Sequence, residues 1–147
     1  MKVAIIGDIH ANLPPLEAVL DHAHQQGVEA IWNLGDFLGY GPFPDDVVRR
    51  IRKEQAISVI GNFDLKVLSF KKKSKKWRSK KPLEEFLAYQ WAHQNLSKPS
   101  QEYLESLPKN GRLRIGETEI FLSHGSPAST KEALTTNTSD KRLSKVA

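Results

Sequence analysis

Four short polar clusters in this sequence carry side chains that could bind metal ions. Their ligands are carboxylate, imidazole and amide oxygen without thiolate, a set that suits Mn²⁺, Fe, Zn²⁺ or Mg²⁺. Two such ions roughly 3.5 to 4 Å apart can hold a phosphoryl group and activate water to attack it. The clusters are Gly7-Asp8-Ile9-His10, Gly35-Asp36-Phe37-Leu38-Gly39, Gly61-Asn62-Phe63-Asp64 and Ser123-His124-Gly125. These residue types therefore indicate a site for divalent ions, and a pair of such ions at this site could hydrolyse phosphoesters.

Each cluster directly follows a stretch that is predicted to be a β-strand. Residues 2–7, 30–34 and 56–60 are short apolar runs, and the first of them is expected to be buried on both faces. Helical patterns separate these runs, so the order β-α-β-α-β predicts a parallel sheet. In open α/β sheets, ligands bind outside the carboxyl ends of the strands. Asp36 follows the middle strand of the set and is therefore the natural bridge between two ions.

The two crossover helices are indicated by apolar spacing. In the first, Pro14 and Pro15 suit the first turn and Gly27 supplies a stop. The second opens at Phe43-Pro44. The apolar stripes predicted to face the core are Leu16, Val19, Leu20 and Ala23 in the first helix, and Val47, Val48 and Ile51 in the second.

The remainder of the chain departs from this alternation. Residues 82–97 and 100–107 have helical patterns, and residues 112–115 and 118–123 predict a hairpin that turns at Gly116-Glu117. Residues 139–147 are expected to begin one more helix. The last polar cluster, around His124, thus follows the second strand of the hairpin.

A plainer interpretation exists for each cluster taken singly. One Asp or Asn after a strand more often closes a turn or caps a helix than binds an ion. The two-residue spacing of Asp8 and His10 straight after a buried strand is less easily explained in that way. Four such clusters at four strand ends together favour a metal site.

These residues resemble the signature of the calcineurin-like metallophosphoesterases. Similar proteins carry Gly-Asp-Ile-His-Ala-Asn-Leu near the start, Gly-Asp-x-x-Gly-Tyr-Gly-Pro after the second strand, and then Gly-Asn-x-Asp and His-Gly-Ser-Pro. Here the matching segments are residues 7–13, 35–42, 61–64 and 123–127, the last of which reads Ser123-His124-Gly125-Ser126-Pro127. The resemblance implies an α/β fold of the αββα sandwich type, formed by residues 1–147 as a single domain.

The resemblance also implies a role for each residue. Asp8 and His10 would hold the first metal, Asp36 would bridge, and Asn62 and His124 would hold the second. His10 and Asp64 would act in catalysis, Asp64 by a hydrogen bond that orients the His10 imidazole. Contact with the substrate is expected from three residues: Asn62, Phe63 and Gly125.

Two departures from the family pattern bear on activity. Phe63 stands where the family often has a histidine, so a general acid that often contributes 10²–10⁴-fold is missing. The Gly-His-x-His motif that usually closes the site does not occur after His124. The domain is therefore expected to lack its C-terminal strands, to leave a sheet edge or apolar face uncovered and to self-associate through it.

The formal charge of +5 comes from one segment. Residues 66–81 hold nine of the 22 basic side chains and no acid, which leaves 13 basic against 17 acidic residues elsewhere. We expect this segment to be a basic loop within the domain. It is most simply a solvated loop near the site, although Lys71 to Lys81 with Trp77 could steer anionic substrate or bind nucleic acid.

The composition narrows the class of protein further. The chain contains no cysteine, which excludes disulfides and thiolate metal sites, and no apolar run of the roughly 20 residues that span a membrane. We expect a cytoplasmic enzyme that hydrolyses a phosphomonoester or phosphodiester with two divalent ions, manganese among the candidates. The alternative is a non-catalytic relative that serves as a metal-binding or interaction module.

Overall fold

A three-stranded parallel sheet forms the centre of the fold in the computed structural model, which describes residues 1–146. Its strands are β1 (Val3–Ile6), β2 (Ala30–Asn33) and β3 (Ile57–Ser58), and they lie in the order β1-β2-β3. Ile5 pairs with Trp32, which pairs in turn with Ile57. The parallel order was predicted, but β3 is shorter than residues 56–60, because Ile60 donates its N–H to the Pro108 carbonyl instead of to β2.

Two helices make the crossovers between these strands. They are α1 (Leu13–Gln25), with two prolines in its first turn, and α2 (Pro44–Lys53). The predicted stripe of α2 is fully buried, and in α1 the residues Leu16, Leu20 and Ala23 are buried as well. Val19 is 48% exposed, so its placement in the core was wrong.

The lysine-rich segment is helical, and the prediction of a basic loop was wrong. Residues 66–68 belong to the end of α3 (Asn62–Leu68) and residues 70–78 form α4 (Phe70–Arg78), while residues 79–81 lie in the turn that follows. Phe70 and Trp77 are seven residues apart and therefore share one face of α4, where their rings lie 6.3 Å apart and pack on the rest of the core. Lysine is a good helix former, so the charges occupy the outer face without opposing the helix.

One carboxylate joins α3 and the end of the lysine-rich segment to α5 (Leu83–Gln94). The Glu85 Oε1 atom accepts hydrogen bonds from Lys81 Nζ at 2.6 Å, Lys66 Nζ at 3.3 Å and the Tyr89 hydroxyl. Burial acts to raise the pKa of Glu85, but these three donors outweigh it and lower the pKa to about 2.

Replacing Glu85 by glutamine is expected to lower the unfolding free energy at pH 7 by about 1–3 kcal/mol, the value of hydrogen bonds to a charged group. The folded pKa lies below the unfolded value, so the ionised carboxylate stabilises the fold above about pH 4.5. That contribution is lost as the pH falls towards 2. Urea unfolding at pH 7, 5 and 3 should therefore show the difference between the two proteins shrinking only at the lowest pH. A difference that is the same at every pH would contradict this assignment.

The hairpin packs on the face of the sheet away from most helices. After α6 (Lys98–Ser106), the strands β4 (Asn110–Ile115) and β5 (Thr118–Ser123) pair antiparallel through the predicted turn. Leu122 meets Trp32 and Val59 on this face, whereas the larger cluster of core residues lies among the helices. The last helix, α7 (Asp140–Leu143), covers part of the predicted range, and Ala147 lies outside the described residues.

The outer edge of β1 is uncovered. No strand within residues 1–146 pairs with that edge, and Ile5 is 60% exposed, so the prediction that β1 is buried on both faces was wrong. Ile5 and Val19 border a shallow depression that also reaches Asp8. No helix in the described part of the chain is long and apolar enough to cross a membrane.

Candidate metal centre

The loops after β1 and β2 are joined by backbone hydrogen bonds that bring their side chains together. The N–H groups of Asp8 and His10 donate to the carbonyls of Gly35 and Asp36, each at 3.0 Å. Asp8, His10 and Asp36 adopt left-handed conformations with φ of 51°, 49° and 55°. Residues other than glycine rarely adopt this region, and the hydrogen bonds between the two loops hold it here.

Two glycines allow the loops to approach each other. A Cβ on Gly61 would overlap the Asp36 carboxylate, and a Cβ on Gly35 would lie 2.5 Å from the Gly61 nitrogen. Gly35 also has a φ of 95°, which disfavours other residues. The close contact between the second and third clusters therefore depends on glycine at both positions.

The predicted ligands converge on Asp36. Its Oδ2 atom lies 3.5 Å from His124 Nε2 and 4.0 Å from His10 Nε2, and His10 Nε2 lies 3.7 Å from Asp8 Oδ1. Ligand atoms of Asp8, His10 and Asp36 all lie within 4.8 Å of one another. The carboxylate of Asp36 is thus central, as a bridging ligand must be.

Both histidines are oriented by backbone carbonyls. His10 Nδ1 lies 3.1 Å from the Leu38 oxygen, and His124 Nδ1 lies 2.8 Å from the Leu34 oxygen. A carbonyl only accepts, so each Nδ1 donates a hydrogen bond to it, and in the neutral form of the ring the lone pair is on Nε2, the atom nearer Asp36. This is the arrangement in which imidazole binds a metal through Nε2.

Asp64 supports the site in a different way from the one predicted. The expected hydrogen bond to His10 is wrong, because both Asp64 oxygens accept from backbone N–H groups. Oδ2 accepts from Asp36 at 2.9 Å and Gly61 at 3.0 Å, and Oδ1 accepts from Leu38 at 2.9 Å. Asp64 therefore reaches His10 through Leu38, whose N–H bonds the carboxylate and whose carbonyl orients the imidazole.

Burial weakens the acidity of the two inner carboxyl groups, Asp64 and Asp36. Burial, followed by the nearby Asp36 charge, raises the pKa of Asp64 to about 6, against the opposing N–H donors. Burial also raises the pKa of Asp36, although the Phe63 N–H, His124 and His10 act to lower it. A divalent cation at this point would favour the ionised form of both groups.

The second predicted metal position is less open than the first. Asn62 turns its Nδ2 atom towards His124 Nε2 at 3.4 Å and towards the Thr130 carbonyl at 3.2 Å. An amide nitrogen does not bind metal, so this position fits an ion only after the amide rotates to present Oδ1. The donor set of Asp8, His10 and Asp36 fits a divalent ion without such a change.

Two further predicted residues lie beside these ligands. The Phe63 ring meets His10 edge-on at 4.9 Å. Gly125 lines an open depression of about 330 Å³ together with Asp8, Asn62 and His124. Lys131 also lines it and was not predicted, because an isolated charge in a polar tail forms no recognisable pattern.

Tyr40 is a second residue that sequence reasoning did not assign. Its ring lies 5.4 Å from that of His10 and 5.2 Å from that of Phe63. The sequence did contain an indication that Tyr40 lies near the site, because this residue belongs to the Gly39-Tyr40-Gly41-Pro42 part of the second motif. The aromatic rings therefore form one border of the candidate metal centre.

Comparison with known proteins agrees with this geometry. Residues 1–146 match the profile of the calcineurin-like phosphoesterase superfamily domain. The chain belongs to the calcineurin-like phosphoesterase superfamily. The family and the fold predicted from the sequence are thereby confirmed.

Three similar proteins illustrate the relationship. An uncharacterized protein of Methanocaldococcus jannaschii is 34% identical over 125 residues, which are 85% of this chain and 49% of that protein. The crystal structure of a metallophosphoesterase from Sphaerobacter thermophilus has a TM-score of 0.68 and 38% identity, covering 91% of this chain and 51% of that one. Phosphodiesterase YfcE of Escherichia coli is 35% identical over 77 residues, 46% of this chain and 42% of that enzyme. This chain thus spans about half the length of the proteins it matches.

Proposed function

We propose that this chain hydrolyses a phosphomonoester or phosphodiester with two divalent metal ions. The observation that carries the proposal is the position of the Asp36 Oδ2 atom, within 4.0 Å of Nε2 of both His10 and His124. When bound, the two ions would polarise a phosphoryl oxygen and activate water for attack on phosphorus. Phosphodiesterase YfcE, whose name states such an activity, is among the relatives that support it.

The residues of the chain would have different roles in binding the two ions. Asp8 and His10 would hold one ion, Asn62 and His124 the other, and Asp36 both. The Asp8 side chain is 70% exposed and faces the rim from which substrate enters. Asp64 is a positioning residue, because it acts on the ligands only through backbone N–H groups.

The side chain of Phe63 would not protonate the leaving group. A phenyl ring cannot donate one, and the ring covers one side of His10. Esters whose leaving groups depart as stable anions would therefore react fastest. We further propose manganese as one of the ions that support activity and the cytoplasm as the location.

Removal of metal tests this proposal directly. The protein treated with a chelator and dialysed should show no hydrolysis of a bis-nitrophenyl phosphodiester, and Mn²⁺ should restore the rate. Mg²⁺ and Zn²⁺ added in parallel would show which ions suffice. A rate that is the same with and without chelator would overturn the proposal.

A non-catalytic module is the second candidate function. The orientation of Asn62, whose Nδ2 atom occupies the lone pair of His124, favours it, because the second ion would have to displace this contact. Calorimetric titration with Mn²⁺ separates the two candidates. One bound ion without turnover supports the module, and two bound ions with turnover support the enzyme.

Replacing Phe63 by histidine is expected to raise the rate on alkyl phosphate esters by up to about 10²-fold, since general acid catalysis is worth 10²–10⁴-fold. Nitrophenyl esters need no protonation of the leaving group and should gain little. Steady-state rates on matched alkyl and nitrophenyl diesters measure this difference. Phe63→Leu is the control, because it changes the packing without supplying an acid. An equal gain on both esters would show that the effect is not proton donation.

A further inference from the structure

An open groove of about 650 Å³ adjoins the metal centre between α5 and the loop before α2. Tyr40 belongs to both places, because it lines the groove while its ring lies 5.4 Å from the ring of His10. The groove is within the size range of small-molecule sites. A molecule held there would extend from the metal ligands past Tyr40 towards α5.

Two aromatic side chains present exposed faces to this groove. Tyr40 is 62% exposed and Trp91 is 48% exposed. Trp91 is also held in place, because its Nε1 atom donates a hydrogen bond to the Pro42 carbonyl at 3.2 Å. Exposed and fixed aromatic faces bind flat rings by stacking, which accepts any nucleobase.

The polar groups of the groove suit a neutral ring with hydrogen-bonding edges. They are the side chains of Glu84, Gln90 and Gln94. Carboxylate and amide oxygens accept from ring or amino N–H groups, and the amide nitrogens donate to ring carbonyls. No lysine or arginine is among the described residues that line the groove, so the groove offers no cation to a phosphate.

We propose that this groove binds the nucleoside part of a phosphoester substrate while the phosphate lies at the metal ligands. The inference rests on the proposed hydrolytic function and adds the class of ester to it. The division follows from charge, because the cations would lie on either side of Asp36, whereas the groove carries the carboxylate of Glu84. Tyr40 lies at the junction, where the sugar would connect the two parts.

A pair of substrates with the same leaving group tests this proposal. The p-nitrophenyl phosphodiesters of thymidine and of methanol carry the same charge and differ only in the nucleoside. We expect kcat/KM with Mn²⁺ to be at least about tenfold higher for the thymidine ester, the effect of one stacked base. Trp91→Leu and, independently, Glu84→Ala should bring the ratio of the two values towards one. Phe121→Leu, which changes an exposed ring on the hairpin, should leave the ratio as it is.

Binding of thymidine alone provides a measurement that needs no turnover. Thymidine should quench the tryptophan fluorescence of the protein in a saturable way, and Trp91→Leu should abolish the saturable part. Quenching that depends on Trp91 without hydrolysis of either ester supports the groove and counts against the hydrolytic function. Equal kcat/KM for both esters without such quenching overturns the groove and leaves hydrolysis standing. Absence of both quenching and hydrolysis overturns both proposals.

Discussion

Replacing Asp36 by asparagine is expected to lower Mn²⁺-dependent hydrolysis of a nitrophenyl phosphodiester by about 10²-fold or more. Loss of residues that only support metal ligands costs 10–100-fold, and Asp36 would be a ligand to both ions. Asparagine keeps the shape and an oxygen that accepts the Phe63 N–H, now 2.8 Å from Asp36 Oδ1. It removes the negative charge between the two histidines. The loss should therefore be in metal binding and rate, with the fold retained.

Two measurements make the Asp36 result specific. Calorimetric titration should show weaker Mn²⁺ binding for the variant, and circular dichroism should show unchanged secondary structure. Asp21→Asn, which makes the same chemical change at an exposed position of α1, is the matched control. Equal rates for Asp36→Asn and Asp21→Asn would contradict the role of Asp36 and the hydrolytic proposal with it.

Replacing Asp64 by alanine is expected to lower the unfolding free energy by about 3–6 kcal/mol. Asp64 is fully buried and accepts hydrogen bonds from the N–H groups of Asp36, Leu38 and Gly61. Each buried donor left without a partner costs about 1–3 kcal/mol. The sum is a large part of the 5–15 kcal/mol that stabilises an ordinary domain. Urea unfolding followed by circular dichroism measures the change.

Asp21→Ala serves as the control for this second variant, because Asp21 is exposed and should tolerate alanine within about 0.5 kcal/mol. The two variants thus distinguish the roles of the two inner carboxyl groups. Asp36→Asn should abolish activity and spare the fold, whereas Asp64→Ala should weaken the fold itself. A destabilisation of Asp64→Ala no larger than that of the control would show that its three hydrogen bonds are replaced by water.

The parallel sheet and its crossover helices were predictable because each element is indicated by residues close together in the sequence. Short apolar runs and the spacing of Leu16, Leu20 and Ala23 indicate elements without reference to the rest of the chain. Val19 has the same spacing, yet it is exposed together with Ile5 along the uncovered edge of β1. A periodic pattern identifies an apolar face, but only the packing decides which part of that face is covered.

The prediction of a loop for the lysine-rich segment was wrong for a related reason. Its charge favoured a loop, while the seven-residue spacing of Phe70 and Trp77 and the helix propensity of lysine favoured α4. The two aromatic rings decided the outcome because they contact the core. The loop was predicted from the charge of the segment alone, whereas the apolar spacing of the two rings determines its structure.

Within the candidate site, the side chains were predictable and their backbone partners were not. Asp8, Asp36 and His124 follow strands in the sequence, which is enough to bring them to one rim. The carbonyls of Leu34 and Leu38 that orient the histidines carry no side-chain signal. The orientation of the Asn62 amide likewise depends on the Thr130 carbonyl, far away in the chain.

The left-handed backbone of the site has a consequence for how this chain can change. Asp8, His10, Ala11 and Asp36 all have φ between 49° and 58°, and such conformations cost about 1–2 kcal/mol each outside glycine. At Ala11 a glycine would relieve the strain without removing a ligand. At the other three positions the same exchange would remove a predicted ligand, so selection for stability and selection for metal binding oppose each other there. Apart from Ala11, gains in thermal tolerance must therefore come from elsewhere in the fold.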